Sequence, residues 1–186
     1  MSHGQDVPRI DESWLNDRSE YQRNFVHGLG NPQGLRVQYH LETVAADAEP
    51  PPPHPDPLAG VRVVGEWRAD DDHMGFPGVA HGGLIAAILD DAIGRCAALR
   101  HRWVVTGRID TRFRAAAPTG VPLRVEAWLT RYQRRLVVGR ARMLLPDGAL
   151  VAEAHGTYLP IPAALEATMV AGWPGFAAYL GREDLP

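Results

Sequence analysis

The residues with the clearest chemical potential lie in residues 73–99, HMGFPGVAHGGLIAAILDDAIGRCAAL. His81 is followed by Gly82 and Gly83, and an apolar helical repeat begins directly after them. Because no Ser, Thr, Asp or Asn precedes this repeat, the sequence predicts a helix without a side-chain cap. Uncapped N–H groups at the positive end of a helix suit an anion or a developing oxyanion. The two glycines could equally serve to let the helix start pack closely, and the spacing alone leaves both interpretations open.

Two consecutive carboxylates, Asp90 and Asp91, lie within this predicted helix. Asp91 has Arg95 one turn later, which predicts an ordinary surface ion pair. Asp90 has no cation within helical reach, and its own face of the helix carries only small residues, namely Gly83, Ala86, Ala87 and Gly94. A carboxylate in this position is either solvated or held in a crevice against another part of the protein.

The helix that carries these acids has a second, apolar face. Its apolar residues follow the spacing that buries a helix against a sheet, at Ile85, Leu89, Ala92, Cys96 and Leu99. Alternating patterns predict two strands before the helix, over about 35–41 and 61–69, and four after it, over about 103–115, 121–132, 135–145 and 149–159. Helices are also predicted over 11–24 and about 163–171. This order of elements indicates an α+β fold.

Several stretches resemble a known family when they are taken together. HGGLIAAILDDAIG, its lead-in GFPGVAHGG and the later VVTGRIDTRFRAAAP are similar to the hotdog-fold acyl-CoA thioesterases, especially the phenylacetate-pathway (PaaI-like) type. The resemblance implies an antiparallel sheet wrapped around one long central helix, with extra N- and C-terminal helical segments. It divides the chain into a partly helical extension (1–24), a hotdog domain (25–160) and a C-terminal helical extension (161–186).

The resemblance also assigns a role to one of the two acids. In this family a catalytic acid follows the His of His-Gly-Gly by nine residues, which selects Asp90 over Asp91. Asp90 would activate water as a general base or attack the thioester directly. Thr106, sixteen residues after Asp90, fits the position of a Thr or Ser that helps to place the water or the acid.

The same resemblance concerns the carbonyl oxygen of the substrate. It implies that the N–H groups of Gly82 and Gly83 bind this oxygen and that His81 fixes the loop rather than acting as a base. Many relatives also carry a polar residue six positions before the His, where this chain has Gly75. The resemblance therefore implies that this polar group, which would bind the substrate carbonyl, is either lacking in this chain or replaced by His73.

Coenzyme A carries phosphates, so arginines are expected at the mouth of the site. The pair Arg134 and Arg135 matches a basic pair that opens a strand in relatives, and Arg112 and Arg114 are second candidates. Solvated strand and turn positions would account equally well for any one of them. The resemblance implies acyl-CoA as the substrate and neither a cofactor nor a metal.

Helix geometry predicts that one chain cannot complete the site. His81 and Asp90 are nine residues apart, or about 13.5 Å along a helix axis, so a carbonyl at the helix start cannot reach Asp90 of the same helix. An antiparallel twofold partner would bring its own Asp90 to this helix start. We therefore expect a homodimer or a dimer of dimers with the active site at the subunit interface.

Other chemically suggestive stretches are predicted to be structural. The Pro-rich segment 45–60 is expected to be an extended loop, and His27 is expected to have a structural role. The acidic turn 70–73 is not predicted to bind a metal, because adjacent side chains in a loop rarely converge.

Composition limits the remaining possibilities. The chain has 186 residues, a net charge of −3 and a hydrophobic share of 45%, values typical of one globular domain with short extensions. Neither a membrane-spanning apolar run nor a signal peptide is expected. The single cysteine, Cys96, predicts a reducing compartment, the cytoplasm. The absence of lysine excludes Schiff-base and Walker-lysine chemistry.

Three other functions are alternatives to hydrolysis. A non-catalytic acyl-thioester-binding module is favoured by Gly75 and disfavoured by the presence of both Asp90 and Thr106. An enoyl-CoA hydratase of this fold usually carries a His five residues after the Asp, where this chain has Arg95. Nucleic-acid binding is disfavoured by the negative net charge and by the lack of a recognition motif.

Overall fold

The computed structural model describes residues 23–44, 58, 60–100 and 102–172. A six-stranded sheet and one long helix dominate these residues. The elements are β1 (Gln38–Thr43), β2 (Val61–Arg68), a 3-10 turn (Asp71–His73), β3 (Met74–Phe76), β4 (Val79–Ala80), α1 (Gly82–Ala98), β5 (Val104–Phe113), β6 (Pro122–Gln133), β7 (Leu136–Leu144), β8 (Leu150–Pro160) and α2 (Ala163–Gly172).

The large sheet has the order β1-β2-β6-β7-β8-β5, and every neighbouring pair is antiparallel. The chain leaves the sheet after β2, forms α1 across one face and returns at the far edge as β5. This arrangement confirms the predicted α+β hotdog fold. The four strands after α1 and the helix α2 begin and end within two residues of their predicted bounds.

Helix α1 buries the apolar stripe that its sequence predicts. Ile85, Leu89, Ala92, Cys96 and Leu99 are all buried, and Ile88 and Ile93 join them in the core between helix and sheet. Burying each large aliphatic side chain contributes about 1.5–3 kcal/mol. This packing fixes the rotation of α1 and therefore the direction in which the Asp90 side chain projects.

Strand β5 departs from simple alternation at one point. Its pairing with β8 shifts register between Thr106 and Arg108, and a bulge of this kind inserts one extra residue into a strand. Simple alternation along the predicted strand would place Thr106 on the same face as Arg108. The structure departs from this alternation, because Thr106 reaches the helix while Arg108 pairs with Asp110 in solvent.

A small hairpin that was not predicted precedes the helix. Strands β3 and β4 pair in residues for which the sequence predicted no strand, and Gly78 turns the chain with a φ of +75°. The His81 N–H then donates to the His73 carbonyl at 2.8 Å. The hairpin therefore holds the start of α1 from one side.

Some predictions fall mostly outside the described residues. The N-terminal helix (11–24) is described only at its last two residues, and the Pro-rich loop (45–60) only at Leu58 and Gly60. Of the C-terminal extension, 161–172 is described, and α2 has no buried residue. None of the helices in the described ranges is long and apolar enough to cross a membrane.

Candidate active site

The Asp90 carboxylate is held by two hydroxyl groups from two strands. Thr106 Oγ1 of β5 donates to the Asp90 oxygens at 3.0 and 3.1 Å. The Tyr158 hydroxyl of β8 donates to Asp90 Oδ1 at 2.8 Å and lies 3.2 Å from the Asp90 carbonyl oxygen. Asp90 is thus held in a crevice against the sheet, which is one of the two alternatives that the sequence left open.

Tyr158 is the member of this group that sequence reasoning missed. It lies beside Thr106 in the β5–β8 register, and its ring is almost fully buried. A Cβ added at Gly156 would come within 2.5 Å of that ring, so the glycine leaves the space that the ring occupies. The Gly-x-Tyr spacing in a strand was the available signal, because residues i and i+2 share a face.

The surroundings of Asp90 shift its protonation equilibrium. Burial raises the pKa of the Asp90 carboxyl, the negative charge of Asp91 raises it further, and the hydrogen bonds from Tyr158 and Thr106 oppose this shift. Burial also raises the pKa of the Tyr158 phenol well above its usual range. Tyr158 is therefore a permanent hydrogen-bond donor, whereas Asp90 is a carboxylate that takes up a proton more readily than an exposed one.

Asp91 is not the surface residue that its sequence context predicts. Both of its carboxylate oxygens lie 3.0 Å from His27 Nδ1, and Arg95 Nε lies 3.9 Å from Oδ2. Arg95 and His27 are buried, so the predicted surface pair is wrong. Burial lowers the pKa of His27, and contacts with His27 lower the pKa of Asp91. The pair therefore consists of a neutral imidazole whose Nδ1–H donates to a charged carboxylate.

The start of α1 is capped, contrary to the prediction from its sequence. His81 is the N-cap residue, and its Nδ1 accepts a hydrogen bond from the Gly83 N–H at 2.9 Å. A Cβ at Gly83 would lie 3.0 Å from that Nδ1, so glycine permits the close approach. The Gly83 N–H is consequently engaged by the protein itself, and a neutral His81 that accepts at Nδ1 carries its proton on Nε2.

Of the two lead-in residues, Gly75 packs against the helix start, whereas the side chain of His73 does not. A Cβ at Gly75 would lie 3.1 Å from His81 Cα. Because glycine has no side chain, strand β3 can approach His81 closely at this point. His73 turns the other way. Its Nδ1 contacts the Asp70 carboxylate at 2.8 Å, and its ring packs edge-on against Trp67.

The four arginines proposed for coenzyme A fall into two separate places. Arg112 and Arg114 lie on β5 and just beyond it, opposite the Asp90 side, where Arg114 Nε donates to Glu153 at 3.0 Å. The structure does not bring these two to Asp90. Arg134 and Arg135 are exposed in the turn between β6 and β7.

A cleft of about 150 Å³ opens beside Asp90. Its lining includes the polar group Asp90, Thr106 and Tyr158, the small or apolar residues Gly94, Ala98 and Val104, and the paired residues Asp91 and Arg95. Arg102 and Trp103 line it as well, where the chain returns from α1 to β5. The Arg102 N–H donates to the Ala97 carbonyl at 3.2 Å, so Arg102 lies at the C-terminal end of α1.

Comparison with known proteins identifies the segment that carries this site. Residues 77–152 match the family model described as the thioesterase superfamily. This segment is therefore similar in sequence to the thioesterase superfamily. The match includes the helix start, Asp90 and Thr106, whereas Tyr158 lies beyond its end. No curated protein sequence matches the chain.

Solved structures share the fold of this chain. The Escherichia coli PaaI protein from the phenylacetic acid degradation operon is 13% identical with a TM-score of 0.61, over 82% of this chain and 96% of that one. A Streptococcus pneumoniae hypothetical thioesterase with coenzyme A is 17% identical with a TM-score of 0.53, over 66% and 85%. A Streptococcus mutans protein bound to acetyl CoA is 20% identical with a TM-score of 0.52, over 54% and 81%. At these identities the likeness concerns the hotdog fold.

Proposed function

We propose that the protein is an acyl-CoA thioesterase that hydrolyses an acyl-CoA thioester to a free acid and coenzyme A. The observation that carries the proposal is the Asp90 carboxylate, held by Thr106 and Tyr158 at the end of a cleft. Burial raises the pKa of Asp90, as suits a group that must take up a proton during the reaction. The two neighbours whose structures hold acetyl CoA or coenzyme A support this class of ligand.

In the proposed reaction, Asp90 accepts a proton from a water molecule as the water oxygen bonds to the thioester carbonyl carbon. The tetrahedral intermediate then expels the coenzyme A thiolate as the C–S bond breaks. The proton held by Asp90 passes to the thiolate, so one water is consumed and the carboxylate is regenerated. Direct attack by Asp90 would instead form an anhydride that water hydrolyses, and single-turnover labelling with heavy-oxygen water distinguishes the two routes.

The oxyanion would be stabilised at the start of α1 of a twofold partner. Within one helix Asp90 lies eight residues beyond Gly82, or about 12 Å, so both groups of one chain cannot reach the same carbonyl. The Gly82 N–H is the proposed donor, and the Nε2–H of His81 is a second one because Nδ1 is engaged by Gly83. This assignment replaces the Gly83 N–H of the sequence-based hypothesis. Arg134 and Arg135 remain the proposed contacts to the coenzyme A phosphates.

The test is thiol release from a panel of acyl-CoA thioesters by wild type and Asp90→Asn. We expect the variant to lose about 10²–10⁴-fold in kcat, the usual contribution of a general base. Asp110→Asn is the matched control, because Asp110 is exposed and pairs with Arg108 away from Asp90. Equal turnover by wild type and Asp90→Asn would exclude the proposed role of Asp90.

The second candidate is a non-catalytic module that binds acyl thioesters. The Gly83 N–H is already bonded to His81, and there is no polar side chain at Gly75, so the chain offers fewer carbonyl donors than expected. Tight binding of acyl-CoA without thiol release would establish this alternative. A cytoplasmic location stays a prediction from the single cysteine.

A further inference from the structure

The cleft beside Asp90 has polar groups at its ends and an apolar middle. Asp90 and the two hydroxyls form one end, and helical spacing places Gly94 and Ala98 one and two turns further along α1, where Val104 also lines the cleft. Asp91 and Arg95 belong to the lining as well, but their side chains are 14% and 4% exposed and are engaged with each other and with His27. Gly94, Ala98 and Val104 therefore form a middle that offers a ligand no side-chain donor or acceptor. A ligand amide placed there would lose hydrogen bonds with water and gain none in return. A hydrocarbon segment fits this part of the cleft.

Arg102 supplies a cation near the opposite end. Its N–H donates to the Ala97 carbonyl, so its backbone lies beside the end of α1, and Ala98 lies eight residues beyond Asp90, or about 12 Å along the helix axis. Arg102 also lies four residues before Thr106, or about 13 Å of extended chain. The backbone of Arg102 is thus placed about 12–13 Å from the end of the cleft that carries Asp90 and Thr106.

The Arg102 guanidinium is held in place by the protein. Its Nη1 donates to the Arg134 carbonyl oxygen, and its carbon lies 5.2 Å from the centre of the Tyr132 ring. Within the described ranges Arg102 is half-buried and makes no ion pair with a carboxylate. The Nε and Nη2 hydrogens remain for a ligand, and a planar guanidinium edge suits bidentate contact with a carboxylate or phosphate oxygen pair.

We infer that the cleft takes an acyl group with a terminal carboxylate and that Arg102 binds this carboxylate. The inference rests on the proposed thioesterase function and narrows its substrate class to the coenzyme A monothioesters of dicarboxylic acids. The thioester lies at Asp90, the hydrocarbon chain lies along Gly94 and Ala98, and the free carboxylate reaches Arg102. The coenzyme A phosphates are the other anions that Arg102 could bind. For them to reach Arg102, the pantetheine amides would have to lie in the apolar middle of the cleft, where they would lose their hydrogen bonds.

The test compares adipyl-CoA with hexanoyl-CoA, which have acyl chains of equal length and differ in the terminal carboxylate. We expect wild type to favour adipyl-CoA in kcat/KM, and Arg102→Gln to lower that preference by about ten- to a hundredfold, the effect of one charged hydrogen bond. Turnover of hexanoyl-CoA and inhibition by free coenzyme A should not change. Arg140→Gln is the matched control, because Arg140 is exposed on the opposite face of the sheet. Arg102→Lys keeps the charge and should restore part of the preference.

Two outcomes would overturn the inference and leave the proposed function intact. Wild type could hydrolyse both thioesters equally well, or Arg102→Gln could weaken both substrates and free coenzyme A alike, which would assign Arg102 to the phosphates. If no thioester is hydrolysed, the proposed function fails, and equilibrium binding of the two thioesters to wild type and Arg102→Gln still decides the inference. Equal affinities in that case would reject it.

Discussion

The Asp90 carboxylate accepts hydrogen bonds from two hydroxyls that differ in exposure. Thr106 is exposed, whereas the Tyr158 ring is buried. Both hydrogen bonds stabilise the charged form, and burial together with the Asp91 charge disfavours it. At the scale of single residues, the properties of Asp90 are therefore set by contacts that can be removed one at a time.

Thr106→Val removes one of these contacts with little change in shape. Because the hydrogen bond lowers the pKa of Asp90, its loss should raise that pKa, and the acid limb of the pH–rate profile should move to higher pH. We expect kcat at neutral pH to fall by about tenfold. Thr130→Val is the matched control, because Thr130 bonds to the Val138 carbonyl on another strand. An unchanged acid limb would argue against the Thr106 contact.

The pair formed by His27 and Asp91 predicts how stability depends on pH. Burial lowers the pKa of His27 below 6.5 in the folded state, so the unfolded chain binds more protons as the pH falls through that value. Stability should therefore be fully present above about pH 6.5 and be lost as the pH falls toward the folded pKa. Urea unfolding of wild type should show this loss, and His27→Gln should lack it. His155→Gln, an exposed control, should behave as wild type.

At the scale of elements, the site depends on how closely strands and helix approach one another. Strand β8 brings Tyr158 under α1, and the bulge in β5 turns Thr106 toward the same carboxylate. The hairpin of β3 and β4 meets His81 where Gly75 has no side chain. Residues that contribute only to packing therefore determine where the side chains of Asp90, Thr106 and His81 lie.

Gly156→Ala tests this dependence. The added Cβ would lie 2.5 Å from the Tyr158 ring, so the ring must move and its hydrogen bond to Asp90 should weaken. We expect a fall in kcat similar to that of Tyr158→Phe, and a double variant no worse than either single one, because both act through the same contact. Gly172→Ala, where a Cβ would meet open space, is the control. Additive losses would show that Gly156 acts independently of Tyr158.

At the scale of the whole molecule, the proposed site needs two chains. Asp90 and the Gly82 N–H of one helix are about 12 Å apart, so an antiparallel partner is expected to complete each of two equivalent sites. Strand β5 lies at an edge of the large sheet, and the side chain of Phe113 at its end is 53% exposed. These features are compatible with a second copy on this side of the molecule.

Mixing two inactive variants tests the composite site. Gly82→Pro removes the proposed N–H donor at the first helical position, where proline is tolerated, and Gly82→Ala controls for the added carbons. Asp90→Asn removes the base. Co-refolded Gly82→Pro and Asp90→Asn chains should recover about one quarter of wild-type activity, because half of the dimers are mixed and each has one intact site. No recovery would place both groups in one chain, and sedimentation should show a dimer or a larger assembly.

The sequence by itself determined the local elements and the candidate acid. Apolar periodicity was sufficient for α1 and the strands of the large sheet, because period 3.6 and period 2 each leave one face for burial. The resemblance on residues 81–90 selected Asp90, and its contact with Thr106 agrees with that selection. These inferences depend on neighbours along the chain, which a sequence records directly.

The tertiary structure decided what surrounds those residues. Tyr158 lies 68 residues from Asp90 and His27 lies 64 from Asp91, so no local pattern pairs them. The sequence suggested an uncapped helix and a surface ion pair, and both predictions were wrong. A ring nitrogen of His81 caps the helix, and Asp91 is hydrogen-bonded to the buried His27. Pairing across the sheet, bulges and burial depend on the whole chain, and they determine that Asp91 is held by buried partners while Asp90 lies at the cleft.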